Sequence, residues 1–256
     1  MATTSITVAE TPLVRLVLGR ADDALILGHR LSEWTGHAPM LEEELALANM
    51  GLDLIGQARE LYALAGRLEG AGHDEDQLAY LRDARQYRNL LLVEQPNGDF
   101  AQTIARQLLY VAFADPWWRA AMASSEPGLA AVGAKAEKET AYHIRHCAEW
   151  LIRLGDGTDE SHGRAQAAID FLWPYTCELF EPEPADLVAA AVCPDPPSMR
   201  ATWDRTVDGV LSQATLARPS ASSGQRGGRV GRHTEHLGHI LTDLQYLQRS
   251  YPGATW

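Results

Sequence analysis

Apolar residues in the first two-thirds of the chain recur at the three- and four-residue intervals of a helix and almost never alternate as they would on a strand. That periodicity confines the fold to the all-α class. The first expected helix follows Thr11-Pro12, a good cap and first-turn pair, and runs to about Trp34 with Leu13, Val17, Ala24, Leu27 and Leu31 along one side. Gly36 and Pro39 close a short turn.

The second helix, about Leu41 to Leu68, is apolar around most of its circumference. Leu41, Leu45, Leu52 and Ile55 make one stripe, and Leu47, Leu54, Leu61 and Leu68 make another. Asn49, Asp53 and Glu60 fill a narrow polar arc, so protein is expected to cover this helix on more than one side. Gly51, Ala58 and Ala65, evenly spaced along it, would let a neighbouring helix come close.

A long connection from Gly70 to Gly98 follows, with a short helical piece near Asp74 to Asn89 and the turn Gln95-Pro96-Asn97-Gly98. The third helix starts at the cap Asp99 and reaches about Ala123, with Phe100, Ile104, Val111 and Trp118 inward and a kink expected at Pro116. Glu126, Pro127 and Gly128 read as a tight turn, and a fourth helix runs from about Leu129 to Leu154. Short first and third connections around a long second one are what a ferritin-like four-helix bundle with a single crossover requires. The expectation is one domain over 1–256: a core bundle over about 12–155 and a helical C-terminal extension over about 156–256.

In that extension a helix bent at Pro174 spans Thr158 to Phe180, and Asp159, Glu160, Ser161 and His162 form its capped, acidic first turn. Pro182 to Pro197 reads as a proline-rich linker, and a sixth helix covers about Ser198 to Ser212. The stretch 218–231, rich in Ser, Gly and Arg, reads as a flexible loop in which Arg226, Arg229 and Arg232 are solvated, and a last helix runs from His233 to Arg249.

A net charge of −12 argues against nucleic acid and anionic membranes as partners, both of which need clustered Lys and Arg. No apolar run is long enough to span a bilayer. Cys147, Cys177 and Cys193 form no CxxC pair and no even-numbered framework, which points to a cytoplasmic, reducing setting.

A two-metal site in a ferritin-like bundle takes a Glu from each of two helices and an ExxH pair from each of the other two. No ExxH occurs in the sequence. The third helix has no Glu and offers Gln102 and Gln107 instead, while the second places Gly56 three residues after Asp53. Asp53, Glu139 and His143 are therefore candidates for a degenerate site only, with no catalytic, cofactor-binding or metal residue expected. Glu139 and His143 are expected to hydrogen-bond one another along the helix, with His146 beside them. His233, His236 and His239 fall along one helix side, where zinc is conceivable and interhelical hydrogen bonding is the favoured role. Trp117, Trp118, Trp150 and Trp173 read as packing residues, and no nucleotide-binding or nucleophile-elbow motif is present.

The stretches Leu31 to Pro39, Asn49 to Arg59, Leu92 to Phe100, Thr103 to Gln107, Trp150 to Thr158 and His233 to Gly238 closely resemble the C subunits of bacterial multicomponent phenylacetyl-CoA epoxidases. The resemblance runs from the first helix to the last. It implies a diverged ferritin-like subunit without metal ligands or cofactor, in a complex that adds one oxygen atom of O2 to the ring of phenylacetyl-CoA during aerobic phenylacetate breakdown. In such complexes a di-iron A subunit is catalytic, a reductase subunit delivers electrons from NADPH and a small B subunit aids assembly. The alternative class is an independently active di-metal oxidase or hydroxylase. Away from its partners the chain is expected to form a homodimer or aggregate through its apolar surface.

Overall fold

The computed structural model describes residues 4–220 and 223–254. Among them every regular element is helical, and no helix is long and apolar enough to cross a membrane. Helix α1 spans Pro12–Ser32 and α2 Leu41–Glu69. Crossover helices α3 (Glu75–Tyr80) and α4 (Leu91–Glu94) lead to α5 (Phe100–Ala121) and α6 (Pro127–Gly155). The extension holds α7 (Asp159–Leu172), α8 (Ala185–Ala189), α9 (Arg200–Gln213) and α10 (Glu235–Ser250).

Local chemistry sets the ends of the long helices. The Thr11 hydroxyl accepts from the Val14 amide ahead of Pro12, and Asp99 caps α5 by accepting from Gln102 N–H at 2.9 Å. Gly70 ends α2 in the left-handed region, where a side chain would be strained.

The sense of the helices follows from who meets whom. The Gly28 backbone of α1 sits against Gly51 of α2, near the turn that joins them; a Cβ on Gly28 would lie 3.2 Å from the Gly51 carbonyl oxygen. Trp34, just past the end of α1, donates to Thr103 at the start of α5, while the Arg20 guanidinium stacks over Trp117 near the far end of α5. Thus α1 is antiparallel to both α2 and α5, and α2 and α5 run the same way, as a single long crossover demands. The all-α, ferritin-like expectation holds.

The core fills the space between α1, α2, α5 and α6 and extends under the C-terminal helices. Trp117 and Trp118 are buried as expected, and Trp203 of α9 reaches the α5 backbone with its indole N–H 2.9 Å from the Leu109 carbonyl oxygen. Two boundaries differ from expectation. Glu126 caps α6 through the Gly128 amide and Pro127 is its first residue, so the expected turn belongs to the helix. The helix expected over Thr158 to Phe180, α7, ends at Leu172 and gives way to a 3-10 segment, Trp173–Phe180, because Pro174 lacks the amide a longer helix needs. α5, by contrast, carries Pro116 without interruption.

Candidate functional site

Asp53 and Gln57 lie one turn apart on α2 and face Glu139 and His143, one turn apart on α6. The sequence suggested that Glu139 and His143 bond along their own helix; both instead reach across the seam. His143 Nε2 stands 3.1 Å from Asp53 Oδ2, and Gln57 Nε2 donates to Glu139 Oε2 at 2.8 Å. From α5, the Gln107 amide approaches His143 Nδ1 at 3.4 Å. A carboxylate on one ring nitrogen and an amide donor on the other fit the neutral imidazole with its proton on Nε2, so the buried ring needs no counter-charge. The three degenerate-site candidates therefore share one cluster, and Gln57 and Gln107 complete it.

Burial pushes the Glu139 carboxyl above its ordinary value, partly opposed by the Gln57 hydrogen bond. Lys135, one turn earlier on α6, places its ammonium 3.8 Å from Glu139. The same Nζ lies 3.6 Å from where a Gly56 Cβ would stand. A lysine thus occupies the space over the glycine where an ExxH pair would carry its imidazole. The neighbouring pair, His146 Nε2 and Glu43 Oε2, is 3.0 Å apart.

These residues do not fit a two-iron centre. Glycine and an amide stand where an imidazole and a carboxylate are needed, and the remaining acids bond to protein donors. Among the described residues no three His, Cys, Asp or Glu side chains converge as a metal ion would require.

Comparison with known proteins shows the family. The family model described as "Phenylacetic acid catabolic protein" matches residues 1–256. The chain belongs to that family. It is also 49% identical over 246 residues to the C subunit of the 1,2-phenylacetyl-CoA epoxidase of Escherichia coli (strain K12), covering 95% of this chain and 99% of that protein.

In this member of the phenylacetic acid catabolic protein family, the most heavily charged interior lies away from the seam, at the crossover. Asp22 of α1 accepts from the Tyr62 hydroxyl at 2.6 Å, the Arg88 amide at 2.7 Å and the buried Arg82 guanidinium. Its neighbour Asp23 takes both Arg229 Nη atoms, at 2.7 and 3.1 Å, and the Leu90 amide at 2.7 Å. Burial alone would lower the Arg229 guanidinium, but Asp23 outweighs it and holds it above its ordinary value. Glu178 accepts amides from Leu91, Gly227 and Arg229.

Glu94, fully buried on α4, accepts from the Thr234 amide at 2.6 Å, from Asn89 at 3.0 Å and from His233 Nδ1 at 2.9 Å. The other His233 nitrogen donates to the Tyr87 carbonyl oxygen at 3.0 Å. With acceptors on both sides the ring is an imidazolium; burial lowers its pKa, and the Glu94 hydrogen bond and charge more than restore it.

Two expectations are corrected here. Arg226 is exposed as a solvated loop residue should be, but Arg229, three residues on, is locked in the interior. His233 precedes the Thr234 cap and does not share a helix face with His236 and His239; its interelement hydrogen bonding holds, whereas His239 is exposed. The crossover cluster left one sequence signal: the adjacent acids Asp22-Asp23 stand in an apolar stretch of α1 whose one nearby base is Arg20, so at least one acid had to be neutralised from elsewhere.

Proposed function

We propose that this chain is the non-catalytic C subunit of a cytoplasmic, NADPH-dependent phenylacetyl-CoA 1,2-epoxidase in aerobic phenylacetate catabolism. It binds no metal or cofactor of its own and supports a di-iron A subunit, alongside a B subunit and a reductase. The observation that carries this reading is the α2–α5–α6 seam, where Gly56, Gln57, Gln107 and Lys135 stand among the acids, and Gln57, Gln107 and Lys135 engage Glu139 and His143 at positions where metal ligands would be needed. The family and the near full-length match to the C subunit of such an epoxidase support the same assignment.

The chain is purified alone and with the A subunit, and iron content and phenylacetyl-CoA-dependent NADPH oxidation are measured with reductase present. Iron and turnover are expected only when the A subunit is there. Stoichiometric iron with turnover in the lone chain would replace this reading with an independently active di-metal oxidase.

A further inference from the structure

The first half of α2 shows solvent a face that a lone helical bundle has no use for. Leu41, Leu45 and Leu52 are 69%, 57% and 66% exposed, and Met40 at the cap is 46% exposed. On the opposite side of the same helix Leu47, Leu54 and Leu61 are buried in the core. With Ala48, the exposed leucines are spaced four, three and four residues apart. That is the spacing of a helix–helix seam, in which side chains of one helix drop between those of another.

The rim of the face is acidic. Glu42, Glu43 and Glu44 fill the first turn of α2, and of these Glu43 is turned inward to His146. With an overall charge of −12, two copies packed face to face would set like-charged rims against each other. A partner helix with an apolar centre and Lys or Arg opposite Glu42 and Glu44 meets no such opposition. The Asp53 and Lys135 side of the seam borders the same half of α2, so what docks there also covers the altered site.

Resting on the function proposed above, we infer that the Leu41–Leu52 face of α2 is the surface on which the A subunit docks, through a helix with an apolar seam and a basic rim. The exposed Tyr246 and Leu247 of α10, and Tyr251 just past its end, lie beside the crossover and away from this face.

The test is the affinity of the purified chain for the purified A subunit, followed by sedimentation velocity and biolayer interferometry, for wild type, the double variant Leu45→Asp/Leu52→Asp and the α10 variant Leu247→Asp. All three positions are exposed, and thermal melting by circular dichroism verifies that each variant folds. The double variant is expected to lose at least about 100-fold in affinity, while Leu247→Asp binds as wild type. Glu42→Lys/Glu44→Lys is expected to slow association several-fold at low salt, with the difference shrinking as salt is raised.

If wild type does not bind the A subunit at all, the proposed function fails. If wild type and the double variant bind it equally, that function stands and the docking surface is overturned. The surface assignment is overturned too if the double variant abolishes only a dimer of this chain with itself and leaves binding to the A subunit intact.

Discussion

The bundle carries two polar clusters, one at the crossover and one in the α2–α5–α6 seam, and they are neutralised in different ways. At the crossover four buried carboxylates, Asp22, Asp23, Glu94 and Glu178, are met by Arg82, Arg229, His233 and a set of backbone amides. In the seam two carboxylates stand nearer the rim, and a neutral imidazole with two amides takes up the interior. The contrast shows what a helical interior tolerates. Buried charge persists where the chain itself supplies the counter-charge, and where it does not, neutral hydrogen-bonding groups have taken the place of ions. Of the two clusters, the crossover belt holds the fold together, because each of its acids joins α1, α4 or the 3-10 segment to distant chain.

The contrast can be broken first at Asp23. Asp23→Ala leaves the Leu90 amide buried without its acceptor and the Arg229 guanidinium without its counter-charge, held only by the Gly19 and Arg88 carbonyl oxygens, and urea unfolding should show a loss of about 3–5 kcal/mol. A loss below 1 kcal/mol would mean that the belt is not held by its charges.

His233 sharpens the comparison through pH. His233→Gln keeps at most one of the two hydrogen bonds and removes the charge, so at pH 6 it should cost about 1.5–3 kcal/mol. The folded pKa of His233 is raised, so its contribution is complete below the unfolded value of about 6.5 and is lost as pH rises through the folded value. Unfolding curves for wild type and variant should therefore converge as pH rises through that folded value. Parallel curves at every pH would rule out the imidazolium.

The seam should give the smallest effects. Asp53→Asn removes a partly exposed partner of a neutral ring and is expected to cost less than about 1 kcal/mol in the same unfolding assay. Gln107→Leu exchanges a long, weak contact and an amide oxygen that already lacks a partner for apolar volume, and should be neutral or slightly stabilising. A cost above 3 kcal/mol for either would place the seam beside the belt as a structural centre.

The long helices and their connectivity were legible because their signals are local: caps at Thr11 and Asp99, a stop at Gly70, and apolar spacing in between. The lack of any ExxH pair is a local signal of the same kind. What escaped was long-range. Arg229 sits among glycines that read as flexibility, yet Gly228 is small because a Cβ there would fall 2.0 Å from the Asn89 carbonyl oxygen. Gly19 likewise makes room for Arg229, whose Nη1 would be 2.9 Å from a Cβ at that position. Glycine composition cannot separate a mobile backbone from one held against another segment. The partners of Glu139 and His143 escaped for a related reason, since spacing along one helix says nothing about what the next helix offers.

The bond between Asp23 and Arg229 joins residues 206 positions apart. A ribosome adding roughly 5 to 20 residues per second needs on the order of 10 to 40 s to make the chain between them. For that interval α1 is present with Asp23 lacking the Arg229 guanidinium, so the helix hairpin it forms with α2 cannot close its final interior until the C-terminal extension is made. A late stretch of the chain seals an early one.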